Sequence, residues 1–399
     1  NPPPPLGSWN KTIELVPEHI RGGALLLHGL TDSPYSLRRI GRILHAKGFY
    51  VLGLRLPGHG TIPGALTNVR WEDWVAASRI GARHVREQAG SDRPFVIAGY
   101  SNGGALAVKY ALDALVDPDL PSPDRLLLFS PEIGVSALAF AANTHKLLSF
   151  LPYFEKSKWL DIIPEYDPFK YNSFPKNAAQ QAYGITKTLQ RQIDETRAAG
   201  KFADFPPVFT FLSWIDATVD TSATIHRLYE QLQNKGSELV VFDVNRFHQL
   251  EPFIPAANDK PLKQLETRSD LPYRLTLITN MDRNSNRMVQ RTKAPRSGVI
   301  DSTILDVAWP PGVYSLTHVA VQFSPDDPVY GANKNSNDNY HGLPLGRLQP
   351  RGESHLLTAP LRQLMRLRHN PFFTYLEQRV VNDMDHQLTG GRQWISEAK

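Results

Sequence analysis

Cysteine is absent from all 399 residues, so disulfides, thiolate metal sites and a cysteine nucleophile are excluded, while the redox compartment stays open. Long hydrophobic runs are absent as well: none approaches the ~20 residues that a membrane-spanning helix needs. Charge of one sign is gathered nowhere. The 44 Lys and Arg are interspersed with 39 Asp and Glu, so the net charge of +5 is spread along the chain and nucleic-acid binding is not expected. The histidines are never spaced as His-Glu-x-x-His or paired on one helix face, so no metal site and no cofactor are expected. No internal repeat is present.

What is present is ordinary globular usage, 41% hydrophobic and 21% charged, in a chain long enough for one large decorated domain or two smaller ones. Asn1 and the run Pro2-Pro3-Pro4-Pro5 predict a stiff, extended tail over residues 1–9. A spacer of that kind, opening without Met, points to an exported or membrane-anchored protein, with a plain disordered tail and a cytoplasmic address as the alternative.

From residue 23 strand-like and helix-like segments alternate, the pattern of a mostly parallel sheet covered by helices. Gly23 to Leu27, Tyr50 to Leu54, Phe95 to Gly99 and Leu126 to Phe129 read as strands buried on both faces. Ser36 to Lys47 reads as a helix closed by Gly48, followed by helices over Trp71 to Gln88 and Gly103 to Leu115. The rhythm breaks from about Ile133 to Phe205, where no strand of the same kind is found. That stretch is largely helical in pattern and carries Leu138, Phe140, Leu147, Leu148, Phe150, Leu151, Tyr153, Phe154 and Trp159, too much apolar bulk for a surface loop.

Alternation resumes with a strand at Val208 to Leu212, a helix over Thr221 to Asn234 and a strand at Leu239 to Phe242. A second insertion over about 250–310 holds extra strands at Tyr273 to Thr279 and Met288 to Arg291. Asn333 to Asn339 reads as a loop, and Pro360 to Met384 as a closing helix interrupted near Asn370-Pro371. The expected organisation is a core over 10–132 and 206–399 with 133–205 inserted as a cap.

Gly99-Tyr100-Ser101-Asn102-Gly103 fits Gly-x-Ser-x-Gly and sits between an apolar strand and the helix-forming Ala105-Leu106-Ala107-Val108. A serine at such an elbow takes a strained conformation, and small neighbours let strand and helix approach, which exposes its Oγ. Upstream, His28-Gly29-Leu30-Thr31-Asp32 follows the strand Leu25-Leu26-Leu27, and Pro57-Gly58-His59-Gly60 forms a later turn. On these motifs the sequence resembles the α/β-hydrolase superfamily, and within it the bacterial carboxylesterase and monoacylglycerol-lipase branch. The likeness is good over about 23–131, follows 207–245 in outline and is loose elsewhere.

The resemblance implies an α/β-hydrolase fold, with Ser101 as nucleophile and the backbone N–H groups of Leu30 and Asn102 as the oxyanion hole. It assigns His28 and His59 to structural turns. A serine hydroxyl needs a histidine base and a carboxylate that orients it, in chain order Ser, acid, His. Asp216, in Ser213-Trp214-Ile215-Asp216-Ala217-Thr218-Val219 after a strand, is the expected acid, with Glu132 as the outside candidate.

Two histidines compete as base. His248 stands where a compact member would carry it, and His318, in Thr317-His318-Val319-Ala320-Val321, resembles the base loop of a larger subgroup and is favoured on that likeness. The expected activity is hydrolysis of carboxylic esters with short to medium acyl or monoacylglycerol-like groups. The expected partner is a small-molecule ester or lipid, with peripheral lipid contact through the cap; the oligomeric state is left open. Acyl transfer by the same residues, or a non-catalytic binding module on this fold, are the alternatives.

Overall fold

The computed structural model describes residues 6–134, 158–216, 218–233, 236–247, 260–332 and 367–389. Outside these lie the proline run, the apolar residues of the first insertion from Leu138 to Phe154, His248, the stretch Asn333 to Asn339 and residues 360–366 of the expected closing helix. The chain divides into two compact units, one of residues 1–127, 131–201 and 377–399 and the other of residues 128–130 and 202–376.

In the first unit β1 (Ile13–Leu15), β2 (Gly22–Leu27), β3 (Phe49–Leu54) and β4 (Phe95–Tyr100) stand in the order β1-β3-β2-β4, with only the β1–β3 pair antiparallel. Every residue of β2 and β4 is buried, which is why these strands read as unbroken apolar runs rather than alternating ones. The helix expected from Ser36 begins as a tighter turn, Pro34–Leu37, because proline presets that geometry, and continues as α1 (Arg38–Ala46). Gly48 follows at φ +91°, the left-handed position that ends the helix.

Helices α2 (Trp71–Ala89) and α3 (Asn102–Ala114) complete this half, and β5 (Arg125–Phe129) carries the chain toward the second unit. The first insertion holds two short antiparallel strands that the sequence pattern did not indicate, β6 (Trp159–Asp161) and β7 (Phe174–Pro175), and then α4 (Lys176–Ala198). Ala178, Ala182, Ile185, Leu189 and Ile193 form the buried stripe of α4 at helical spacing. It packs on α3, where Gln192 Nε2 donates to Asp113 Oδ1 (2.7 Å) and Lys109 Nζ donates to both Asp113 (2.8 Å) and Gln192 (3.2 Å).

In the second unit β8 (Val208–Ser213), β9 (Glu238–Phe242), β10 (Arg274–Asn280), β11 (Arg287–Lys293) and β12 (Ile300–Ala308) are ordered in sequence, parallel as far as β10 and antiparallel beyond. β12 was not expected, because most of its side chains are exposed or half-exposed and leave no apolar alternation to read. The helix expected over Thr221 to Asn234 is broken. It runs only from Thr221 to Ala223 (α5), widens over Thr224–Leu228 and tightens over Tyr229–Gln231. Buried Tyr229 brings its hydroxyl to 2.7 Å from the Glu238 carbonyl, a packing demand that overrides helix propensity.

A short helix in the second insertion, α6 (Lys260–Thr267), ends against the buried Lys293 ammonium, which donates to the carbonyls of Leu265, Glu266 and Arg268. Beyond the interruption expected at Asn370-Pro371, the closing helix spans Phe373–Leu388, and residues 360–366 of its expected first part lie outside the described residues. The residue before a proline disfavours helical geometry, and Asn370 instead uses its Oδ1 to accept the Phe372 N–H (2.8 Å).

Candidate active site

β4 ends at Tyr100 and α3 begins at Asn102, so Ser101 makes the whole turn alone, at φ 54° and ψ −119°. For a residue with a Cβ such a conformation costs about 1–3 kcal/mol and persists only when the surroundings enforce it. The surroundings here are backbone. A Cβ on Gly103 would lie 1.9 Å from the Leu27 carbonyl oxygen, and one on Gly99 would lie 2.4 Å from the Gly103 oxygen, so the strand and helix cross too closely for any side chain at either position.

The Ser101 carbonyl accepts N–H groups from Gly104 (2.9 Å), Ala105 (3.3 Å) and Glu132 (3.0 Å). Asn102 opens α3, where first-turn N–H groups have no carbonyl partner in their own helix and lie at its positive end. Its side chain is fully buried, and neither amide atom has a hydrogen-bond partner among the described residues.

The loop after β2 carries Leu30, and two buried histidines hold it. His28 Nε2 accepts the Leu56 N–H (3.1 Å) and its Nδ1 donates to the Gly29 carbonyl (2.9 Å), so the ring is neutral. Burial, helped by the neighbouring His59, drives its pKa well below 6.5 against the opposing Gly29 bond. His59 places Nδ1 3.0 Å from the Pro57 carbonyl and Nε2 2.7 Å from the Leu30 carbonyl. Burial lowers its pKa too, opposed by the carbonyls of Leu30, Pro57 and Leu56 and by the Asp32 carboxylate. Each ring thus bolts one loop to another.

β8 runs into the turn that carries Asp216. Asp216 Oδ1 accepts the N–H groups of Thr218 (2.8 Å) and Val219 (3.1 Å), which orients the carboxylate, and Oδ2 accepts Nδ1–H of His318 at 2.7 Å. Both side chains are buried, at 0% and 3% exposure, so this bond is little screened by water. An Nδ1–H donated to the carboxylate is the arrangement a general base requires.

His318 lies beyond β10, β11 and β12, and its loop is drawn back to the end of β9 by Asn245. The Asn245 N–H donates to Tyr314 O (2.7 Å), Nδ2 donates to Val313 O (2.9 Å), and Oδ1 accepts from Asn280 (3.1 Å). Ser101, Leu30 and Asn102 belong to the first unit, Asp216 and His318 to the second. Among the described residues no group of three or more His, Asp or Glu side chains could hold a metal ion.

Two contributors have no signature in the sequence pattern. Asn245 follows a strand as any loop asparagine does. Tyr171 stands in the first insertion, yet its N–H donates to Thr31 O and its ring lies parallel to His59.

The first unit holds a strand, a one-residue turn under strain and a helix, and the second holds a histidine hydrogen-bonded to a buried carboxylate that follows a strand. The model of the alpha/beta hydrolase family matches residues 24–300, and the chain belongs to that family. Its fold is the α/β-hydrolase fold, a mostly parallel sheet flanked by helices.

A thermostable monoacylglycerol lipase of Bacillus sp. (strain H-257) is 32% identical over 89 residues, 22% of this chain and 34% of that enzyme, so the match spans about a third of that relative. A carboxylesterase of Bacillus subtilis (strain 168) is 24% identical over 234 residues, covering 57% of this chain and 87% of the relative. Among solved structures, that of the metagenome-derived lipolytic enzymes LipS and LipT aligns at TM-score 0.47 and 19% identity, covering 65% of this chain and 98% of its own.

Proposed function

We propose that the protein is a serine hydrolase of carboxylic esters, acting on short to medium acyl or monoacylglycerol-like substrates. The observation that carries this reading is the strained Ser101 at the β4–α3 elbow, since a backbone cost of that kind is kept where a nucleophile must be presented. The Asp216–His318 hydrogen bond supports it, as does similarity to a monoacylglycerol lipase and a carboxylesterase. The apolar composition of the first insertion, of which Leu160 and Ile162 are exposed, suits a cap over an acyl chain.

In this mechanism Ser101 Oγ attacks the ester carbonyl while His318 Nε2 takes its proton and Asp216 stabilises the imidazolium. The N–H groups of Leu30 and Asn102 bind the oxyanion. His318 then protonates the departing alcohol, and water, activated by the same ring, releases the acid from Ser101.

The test is p-nitrophenyl ester hydrolysis across acyl lengths with the wild type and Ser101→Ala, His318→Ala and His248→Ala at matched folded content. Turnover lost in the first two variants and kept in the third is expected. A wild type that cleaves none of these esters overturns the substrate class, and loss confined to His248→Ala overturns His318 as base.

A further inference from the structure

A tripeptide of the first insertion, Phe169-Lys170-Tyr171, touches the loop that carries Leu30. Phe169 stacks on Tyr35 with centroids 3.9 Å apart and planes 8° from parallel. Lys170 Nζ stands 3.9 Å from the buried carboxylate of Asp32. The Tyr171 N–H donates to the Thr31 carbonyl at 2.8 Å, and its ring lies within 9° of the His59 plane at 6.2 Å. Its hydroxyl donates to the Gly58 carbonyl (3.1 Å) and accepts the Thr61 N–H (2.9 Å). Asn10 Nδ2 fixes the approach by donating to the Pro168 carbonyl at 2.6 Å.

These contacts converge on both segments that His59 joins. The backbone of Thr31 follows Leu30 directly, and Gly58 and Thr61 flank His59, whose ring reaches the Leu30 carbonyl. A residue that only covered an acyl chain would have no need to saturate the backbone of the loop beneath it. We infer that Tyr171 is a positioning residue: it ties the first insertion to the oxyanion loop and holds Leu30 so that its N–H is fixed in direction before substrate arrives. This rests on the reading of Leu30 as an oxyanion donor.

The consequence is kinetic. A preorganised donor contributes only if it is already aimed when charge develops, so loosening it lowers the chemical step more than it weakens substrate binding. Tyr171→Phe keeps the ring and the backbone N–H and loses only the hydroxyl bonds; Tyr171→Ala loses the ring contact as well.

Two measurements on the full chain test this: kcat and KM for a p-nitrophenyl ester, and amide hydrogen exchange over residues 28–35. The expected result is a kcat lower by roughly tenfold in Tyr171→Ala, with KM little changed, an intermediate value in Tyr171→Phe, and faster exchange of the 28–35 backbone in the same order. Wild-type kcat in Tyr171→Ala, or unaltered exchange at 28–35, overturns the inference. If Ser101→Ala retains the wild-type rate, the functional reading has failed, and exchange then decides whether Tyr171 holds the loop at all.

Discussion

Asp216 and His318, 102 residues apart in sequence, share one 2.7 Å hydrogen bond between side chains that water scarcely reaches. Removing its charge and keeping its shape isolates the role of the carboxylate. Asp216→Asn is expected to lower kcat by about 10³–10⁴-fold, because the amide can donate to Nδ1 and so stabilise the wrong tautomer. Steady-state kinetics on the best p-nitrophenyl ester, with KM and circular dichroism as controls, check it; a kcat within a few-fold of wild type contradicts the assignment.

Asn245 is expected to matter for the same histidine without touching it. Asn245→Ala removes the donor to Val313 O and the acceptor for Asn280, buried bonds whose loss costs on the order of 1–3 kcal/mol. The melting midpoint should fall, and kcat should fall beyond what the unfolded fraction explains. A drop in stability with a fully retained kcat per folded molecule would assign Asn245 to folding alone.

His28 makes stability depend on pH in a definite direction. Its pKa is held well below the unfolded value of 6.5, so between that depressed value and 6.5 the unfolded chain binds more protons than the folded one. The stabilisation is complete above pH 6.5 and is lost as pH falls through that window. His28→Gln, whose Oε1 can still accept the Leu56 N–H, should show a smaller drop in melting midpoint between pH 7 and pH 5 than wild type. Equal drops in the two proteins would show that His28 titrates normally.

The buried pair of Arg125 with Asp383, at 2.9 and 2.5 Å, ties the closing helix to β5. Asp383→Asn removes the carboxylate that this buried guanidinium holds at 2.5 Å and is expected to cost roughly 3–5 kcal/mol in urea unfolding. Replacing both partners, Arg125→Met with Asp383→Leu, should recover most of that loss. If the single variant unfolds at the wild-type midpoint, the pair is stabilised by water rather than by its own contact.

Much of this molecule is written in short-range pattern. Unbroken apolar runs mark β2 and β4 because both faces of those strands are covered, and the glycines around Ser101 are demanded by backbone oxygens 1.9 and 2.4 Å from where a Cβ would stand. A reader of residues sees such features because each is decided by neighbours within a few positions. β12 escaped, since an exposed strand carries no burial signal, and the expected helix after Asp220 broke up because Tyr229 is held by the carbonyl of a strand on its far side.

By itself the sequence determined where the Ser101 elbow, the His28-Gly29-Leu30 loop and the turn of Asp216 lie along the chain. Only the tertiary structure decided that His318 meets Asp216, that Asn245 draws its loop back across three inserted strands, and that Tyr171 reaches Thr31 and Gly58. The physical reason is range. Periodicity and turn chemistry act over a few residues, whereas these contacts join segments 68 to 140 residues apart through packing and hydrogen bonds that no local pattern encodes.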